Sequence, residues 1–279
     1  MVATAVALAA VAGFGVYLGA REIGHKLPLP RPNRGCVVEA DGRVDLTAEQ
    51  MANAATIAAV GVRRKMPERA VVVALATAMQ ESRLRNLAGG DRDSVGLFQQ
   101  RPSQGWGTPE QIRDPRYAAT RFYEALRKVR GWEQMEITDA AQRVQRSAFP
   151  RAYQQWADEA EVLARALLGN AGGAVACTVG REPPVRGAAA TAALTHGLTR
   201  DWGRLKTVSP AEVTGLAVPA TSPQVGWRYA HWLVSHAGDH GVKRVRFATL
   251  QWTAASGNWA PVQGEPYSSD HVIAEVFTD

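Results

Sequence analysis

Residues 70–106 read AVVVALATAMQESRLRNLAGGDRDSVGLFQQRPSQGW, and this stretch decides how the rest of the chain is read. Val71, Val72, Leu75, Ala78 and Met79 recur at helical spacing, so the segment opens as an apolar helix. That helix delivers one acid, Glu81, at its polar end. A Gly-Gly-Asp turn follows, then Ser94-Val95-Gly96-Leu97-Phe98-Gln99-Gln100. A carboxyl at the end of an apolar helix is a candidate for a raised pKa, because desolvation disfavours the charged form. A carboxyl that keeps its proton near neutral pH can give it to a leaving oxygen, as glycosidic cleavage requires. Taken alone, Glu81 would read as a solvated helix-end charge, the usual fate of glutamate.

The order of the elements is more specific than any one of them. Glu81-Ser82 followed by Gly96-Leu97-Phe98-Gln99 resembles the E-S … G-L-M-Q signature of the lysozyme-like superfamily, which includes goose-type lysozymes and soluble lytic transglycosylases. Gly90-Asp91-Arg92 lies between the two halves, similar to the goose-type element. The longer string resembles a lysozyme-like domain of secreted Gram-positive proteins, and the resemblance runs from about Cys36 to Cys177. It implies cleavage of peptidoglycan glycan strands with Glu81 as general acid and with no cofactor. An inverting hydrolase needs a second carboxylate, for which Asp91 is the first candidate and Asp93, on the same turn, the second. Both also read as turn residues bonding their own backbone. The further acid that goose-type enzymes carry after G-L-M-Q is missing from Gln100-Arg101-Pro102. That leaves muramidase and lytic transglycosylase both open, the latter using one Glu and the sugar's own hydroxyl. The resemblance also implies substrate-binding roles for Ser82 and Gln99. Trp106 is a candidate to stack on a sugar or to pack in the core, and Tyr153 and Gln145 are lesser substrate-side candidates.

The chain has 279 residues, enough for two domains, and its 46% hydrophobic content is that of a globular protein rather than a disordered one. The net charge of +6 suits an anionic wall polymer or a solvated surface. The basic residues are scattered and no nucleic-acid motif stands out, so no nucleic-acid partner is expected. The two cysteines, Cys36 and Cys177, bracket the lysozyme-like stretch, and outside the cytosol such a pair reads as a disulfide. C-x-x-C spacing is absent, which removes support for zinc or thioredoxin-type chemistry.

Met1 to Ala20 is apolar or small throughout, long enough to cross a bilayer. It reads as an uncleaved signal anchor or as a cleaved secretory signal, with the anchor favoured because Leu18-Gly19-Ala20 makes a poor cleavage site. The positive charges follow the span, which by the positive-inside rule would retain the bulk of the chain inside. The cysteine pair and a wall substrate argue for the outside, and a start upstream of Met1 would reconcile the two. An extracytoplasmic, membrane-anchored or secreted protein is therefore expected. Residues 21–35 are a Pro/Arg-rich spacer. Capping boxes at Thr47–Gln50 and Thr108–Gln111, and starts at Asp114-Pro115 and Thr138-Asp139, predict successive helices, the last over 153–168. Residues 178–195 read as a linker around Pro183-Pro184. Strand signals at 214–218, 242–250 and 272–277, with a helix over 226–236, predict a small second domain over 196–279. The fold class expected overall is α+β, a mainly α domain followed by a small α+β domain.

In the second region Gly226-Trp227, Gly241-Val242-Lys243, Trp252, Trp259 and Asp270-His271-Val272 resemble zinc D-alanyl-D-alanine carboxypeptidases. The final His of that family's D-H-V-H is Ile273 here, and the His…Asp ligand pair is not visible around 207–219. Three protein ligands for zinc cannot be assembled, so no metal is expected, and His231, His236 and His240 read as surface or packing residues. The region reads as a degenerate peptidase fold. Two functions follow: glycan-strand cleavage outside the membrane, or a non-catalytic wall-binding scaffold working with proteins of a cell-envelope or conjugation apparatus.

Overall fold

A computed structural model of the chain describes residues 35–180, 183–262 and 269–278. The expected membrane segment at 1–20 lies outside the described residues, as does nearly all of the spacer. Among those described, no helix is long and apolar enough to cross a membrane. The fold is α+β, combining helices with antiparallel sheets.

The described chain opens with a hairpin of β1 (Gly35–Glu39) and β2 (Arg43–Thr47). Cys36, Val38, Val44 and Leu46 face the core at the strand period of two. Asp41-Gly42 makes the turn, with Asp41 in the left-handed region. Strand β3 (Val175–Cys177) pairs with the free side of β1, giving the order β2-β1-β3. Cys36 and Cys177 are direct partners in that register and form the expected disulfide. They stand 141 residues apart, a loop whose closure stabilises by about 4–5 kcal/mol in the chain-entropy model. The three-stranded sheet has no counterpart in the sequence reading.

Helix α1 (Ala48–Arg63) begins with the expected capping box, in which Thr47 and Gln50 exchange bonds of 2.8 and 3.3 Å. Helix α2 (Glu68–Ser82) is buried over most of its length and forms the spine of the helical half. The single turn α3 (Pro109–Ile112) carries the second capping box, and Asp114 caps α4 (Pro115–Arg127). Helices α5 (Ile137–Gln145) and α6 (Ala157–Leu167) complete this half. The helix expected from residue 153 starts later: Tyr153 precedes a 3-10 turn, Gln154–Trp156, whose side chains reach back to α2.

The expected linker is shorter than 178–195. The alanine-rich run after the prolines folds as α7 (Gly187–Trp202), because alanine is the strongest helix former and only the prolines themselves exclude helix. Beyond it lie β4 (Gly215–Pro219), α8 (Pro223–Ser235), the turn α9 (Ala237–His240), β5 (Val242–Phe247), β6 (Leu250–Thr253), β7 (Trp259–Pro261) and β8 (His271–Val276). These strands form an antiparallel sheet in the order β4-β8-β5-β6-β7. The strand expected over 242–250 is two strands, since Ala248 turns the chain in the left-handed region.

The described residues all fall within one compact unit, and a single core runs through both halves. Helix α1 packs on α7 and α8, and α6 also packs on α8. A buried carboxylate sits among these helices. Asp201 of α7, with no exposed surface, accepts bonds from Thr56 of α1 at 2.9 Å and Trp232 of α8 at 2.7 Å. It also accepts from the Arg116 guanidinium of α4. The expected surface or packing histidines divide along the same lines. His231 is fully buried: its Nε2 accepts from the Ala174 N–H at 3.0 Å and its Nδ1 faces the Ala166 carbonyl at 2.8 Å. His236 is buried against Trp232, and His240 stacks on both rings.

Two outcomes follow for stability. Asp201→Ala strands the Arg116 charge and two donors, and is expected to cost about 3–5 kcal/mol, measured by denaturant unfolding. Burial lowers His231 and His240 from 6.5 to about 4 and lowers His236 as well. The unfolded chain therefore binds more protons in that range. Stability is fully present above about 6.5 and is lost as the pH falls toward 4, and thermal midpoints across this window should show that slope reduced in His231→Gln.

Candidate active site

The site is built on the last turn of α2. That helix ends abruptly because Arg83 and Leu84 both adopt the left-handed conformation, at φ 54° and 57°. Two such residues in succession are unfavourable, by roughly 1–3 kcal/mol each, unless their surroundings hold them. Helix α1 does so: Gln50 Nε2 donates to the Arg83 carbonyl and Asn53 Nδ2 to the Leu84 carbonyl, both at 2.8 Å. Gln50 thus caps its own helix with one end of its amide and the end of α2 with the other. From the far side the 3-10 turn holds the same helix end. Gln155 and Trp156 donate to Gln80 Oε1 at 3.0 and 2.9 Å, and the Arg83 guanidinium lies 4.0 Å above the Trp156 ring.

Glu81 is half-buried in this frame. Its Oε1 accepts from the Tyr153 hydroxyl at 2.7 Å and from Gln145 Nε2 at 3.1 Å. Gln145 also donates to the Phe98 carbonyl at 2.7 Å. Among the described residues no hydrogen bond reaches Glu81 Oε2. Burial first, and the negative Glu81 second, push the Tyr153 phenol well up, so it stays a donor to the carboxylate. The three groups come from the ends of α2 and α5 and from the turn before α6, so the acid is set by tertiary packing rather than by one loop.

The Gly96–Gln99 turn works mainly through its backbone. Leu97 and Phe98 are fully buried, with Phe98 stacked 4.7 Å from Phe122. Their carbonyls accept from Ser82, at 2.7 Å to Leu97, and from Gln145. Ser82, expected at the substrate, is buried and staples α2 to this turn. Gln99 stands at φ 46° with its side chain folded into its own turn, bonding Gly96 and Ser94 at 3.1 and 3.0 Å. A Cβ on Gly90 would lie 1.7 Å from Gln99 Oε1, so a side chain there would displace the Gln99 amide from its turn.

Asp91 and Asp93 both engage the next segment. Asp91 pairs with Arg101 at 2.7 Å on an exposed surface. Asp93 accepts from the backbone N–H and the hydroxyl of Ser103, at 2.8 and 3.0 Å, and these bonds lower its pKa. Trp106 is half-buried against the core, with its carbonyl accepting from the Tyr117 hydroxyl at 3.1 Å. Structure thus gathers Glu81, Gln145 and Tyr153 at one point, with Ser82 directly behind. It leaves Asp91, Asp93, Gln99 and Trp106 in the adjoining turns. Gln80 and Trp156, which bond each other across 76 residues, were not among the sequence candidates.

Among the described residues no group of three or more His, Cys, Asp and Glu is placed to hold a metal, and His271 bonds the neighbouring Asp270 at 2.8 Å. A separate hollow of about 760 Å³ opens at the other end of α2, lined by Asp41, Glu68, Arg69, Asp158 and Arg165 among others. It lies about 20 Å along the helix from Glu81 and forms no part of this site. The chain matches no model of a known protein family and no curated protein sequence.

The Tyr153 bond supplies a test of the geometry alone. Tyr153→Phe leaves the buried ring in place and removes one of two donors to Glu81. It should cost about 1–2 kcal/mol of stability, read from unfolding curves.

Proposed function

We propose that this chain cleaves the glycan strands of peptidoglycan, with Glu81 as the general acid. The observation that carries the reading is the doubly bonded Oε1 of Glu81, which fixes the carboxyl while leaving Oε2 for a substrate oxygen. An acid in this setting gives its proton to the oxygen between two sugars as the C1–O bond breaks. Asp93 engages Ser103 through both oxygens, while Asp91 pairs with Arg101 through Oδ2 alone; the lytic transglycosylase branch is the one that needs neither carboxylate. In that branch the strand's own C6 hydroxyl attacks C1 and its proton returns to Glu81, closing an anhydro ring with no net uptake of water. The disulfide supports an extracytoplasmic setting, since such bonds persist in oxidising compartments. Wall material is then the partner, and attachment to the membrane would come from the N-terminal segment.

The test is a digest of purified peptidoglycan by the full chain beside its Glu81→Gln variant, with products identified by mass spectrometry. Glutamine can still accept from Tyr153 and Gln145 but cannot supply the proton. The expected result is anhydro-muropeptides from the wild type, with turnover lower by about 10²–10⁴-fold in the variant. Reducing ends would instead assign a hydrolase. No product from several wall chemotypes, with binding retained, would favour the scaffold over the enzyme.

A further inference from the structure

Gln145 and Tyr153 both bond Glu81, and the chain between them has no regular structure. Its backbone is nonetheless pinned. Gln142 grips Ser147 through two bonds, of 2.8 and 3.0 Å, and the Phe149 N–H donates to the Ser147 hydroxyl. Thr138 donates to the Pro150 carbonyl at 2.6 Å, and the Ala152 N–H to the Phe149 carbonyl at 3.1 Å. The loop is thereby tied to the acid it borders.

Its side chains point the other way in polarity and exposure. Phe149 is 74% exposed, and Val208 is the one other large apolar side chain that stands out among the described residues. Arg146 and Arg151 are exposed on either side of it; the Arg146 N–H caps the preceding helix on the Gln142 carbonyl at 2.8 Å, but no hydrogen bond, ion pair or ring contact among the described residues engages either guanidinium group. An aromatic ring held in water on a fastened loop forgoes the stabilisation of burial, and the two guanidinium groups that flank it in sequence stay hydrated and without an internal partner. An aromatic ring offers an apolar face, and a guanidinium offers a planar fork matched to carboxylate.

We infer that residues 146–152 form the recognition loop of the Glu81 site, with Phe149 stacking on a sugar ring and Arg146 and Arg151 pairing with carboxylates carried by the same strand. This rests on the cleavage reading only for the location of the substrate; the chemistry of the loop is independent of turnover. The ligand class is an acidic glycan, as opposed to a neutral one. Because the loop's backbone is already fastened, little ordering is needed on binding.

The test measures affinity of the full chain carrying Glu81→Gln, so that binding is separated from turnover. The probes are soluble peptidoglycan fragments with their stem peptides, and a neutral N-acetylglucosamine oligomer. Thermal midpoints equal to the parent's verify folding, which exposed substitutions should leave intact. Arg146→Gln with Arg151→Gln is expected to weaken binding to the acidic fragments about tenfold, and to leave the neutral oligomer unaffected. Phe149→Ala is expected to weaken both by about tenfold. Added salt should weaken the parent and barely affect the double variant. Unchanged affinity in both variants overturns the inference, as does an equal loss on the neutral oligomer. Loss of binding when phosphate-bearing wall polymers are stripped from the fragments also overturns it, by assigning the arginines to phosphate. If wild type digests nothing while these binding losses appear, the loop assignment stands and the cleavage reading fails. Digestion by the wild type with loop variants binding as the parent does gives the reverse.

Discussion

Asp201 is the point on which the arrangement of helices depends. A carboxylate with no exposed surface is unfavourable unless its charge and its lone pairs are met inside the protein. Here the partners come from three other helices: Thr56 on α1, Arg116 on α4 and Trp232 on α8. Each of these helices must therefore stand at one distance and one rotation about α7. The apolar core around them tolerates small shifts, whereas a carboxylate with directed donors does not. Since α1 also carries Gln50 and Asn53, this fixed position is passed on to the end of α2. The halves that read as separate domains are thus joined by a polar link as well as by a shared core.

At the other end of that chain of contacts sits Glu81. Its helix stops where two left-handed residues turn the backbone away, and their unfavourable conformations persist because α1 accepts the geometry. The result is an acid in a last helical turn with one oxygen committed and the other open. The G-L-F-Q turn contributes by lending two carbonyls, to Ser82 and Gln145, while its apolar side chains anchor it in the core. Motif residues here shape the site more through backbone than through side chain, and Gln99 illustrates it by folding its amide back into the turn.

Local signals in the sequence were legible where the determining interaction is local. Both capping boxes, the Asp114-Pro115 helix start and the apolar stripe leading to Glu81 fall where the spacing predicts them. The cysteine pair was legible because two residues allow one pairing. The hairpin at 35–47 carries a weak signal, since Asp41-Gly42 joins strands of only five residues and the second runs straight into the Thr47 helix cap. Helix α7 was hidden inside a proline-led linker because composition shifts mark the prolines and not the alanines after them. Asp201 and Thr56 look like any surface residue in sequence, and only the fold buries them. The convergence of Gln145 and Tyr153 on Glu81 spans 64 and 72 residues, beyond any spacing rule, and was approached through family resemblance alone.

The order β2-β1-β3 also governs the timing of assembly. The β1–β2 hairpin closes over a handful of residues, but the other side of β1 waits for a strand 141 residues downstream. A nascent chain must therefore carry an open strand edge, rich in valine, through the making of every helix in the first half. Long-range pairing of this kind slows folding and lengthens exposure to neighbouring chains. The interval before β3 emerges is therefore one in which β1 offers an unpaired edge to any strand that meets it.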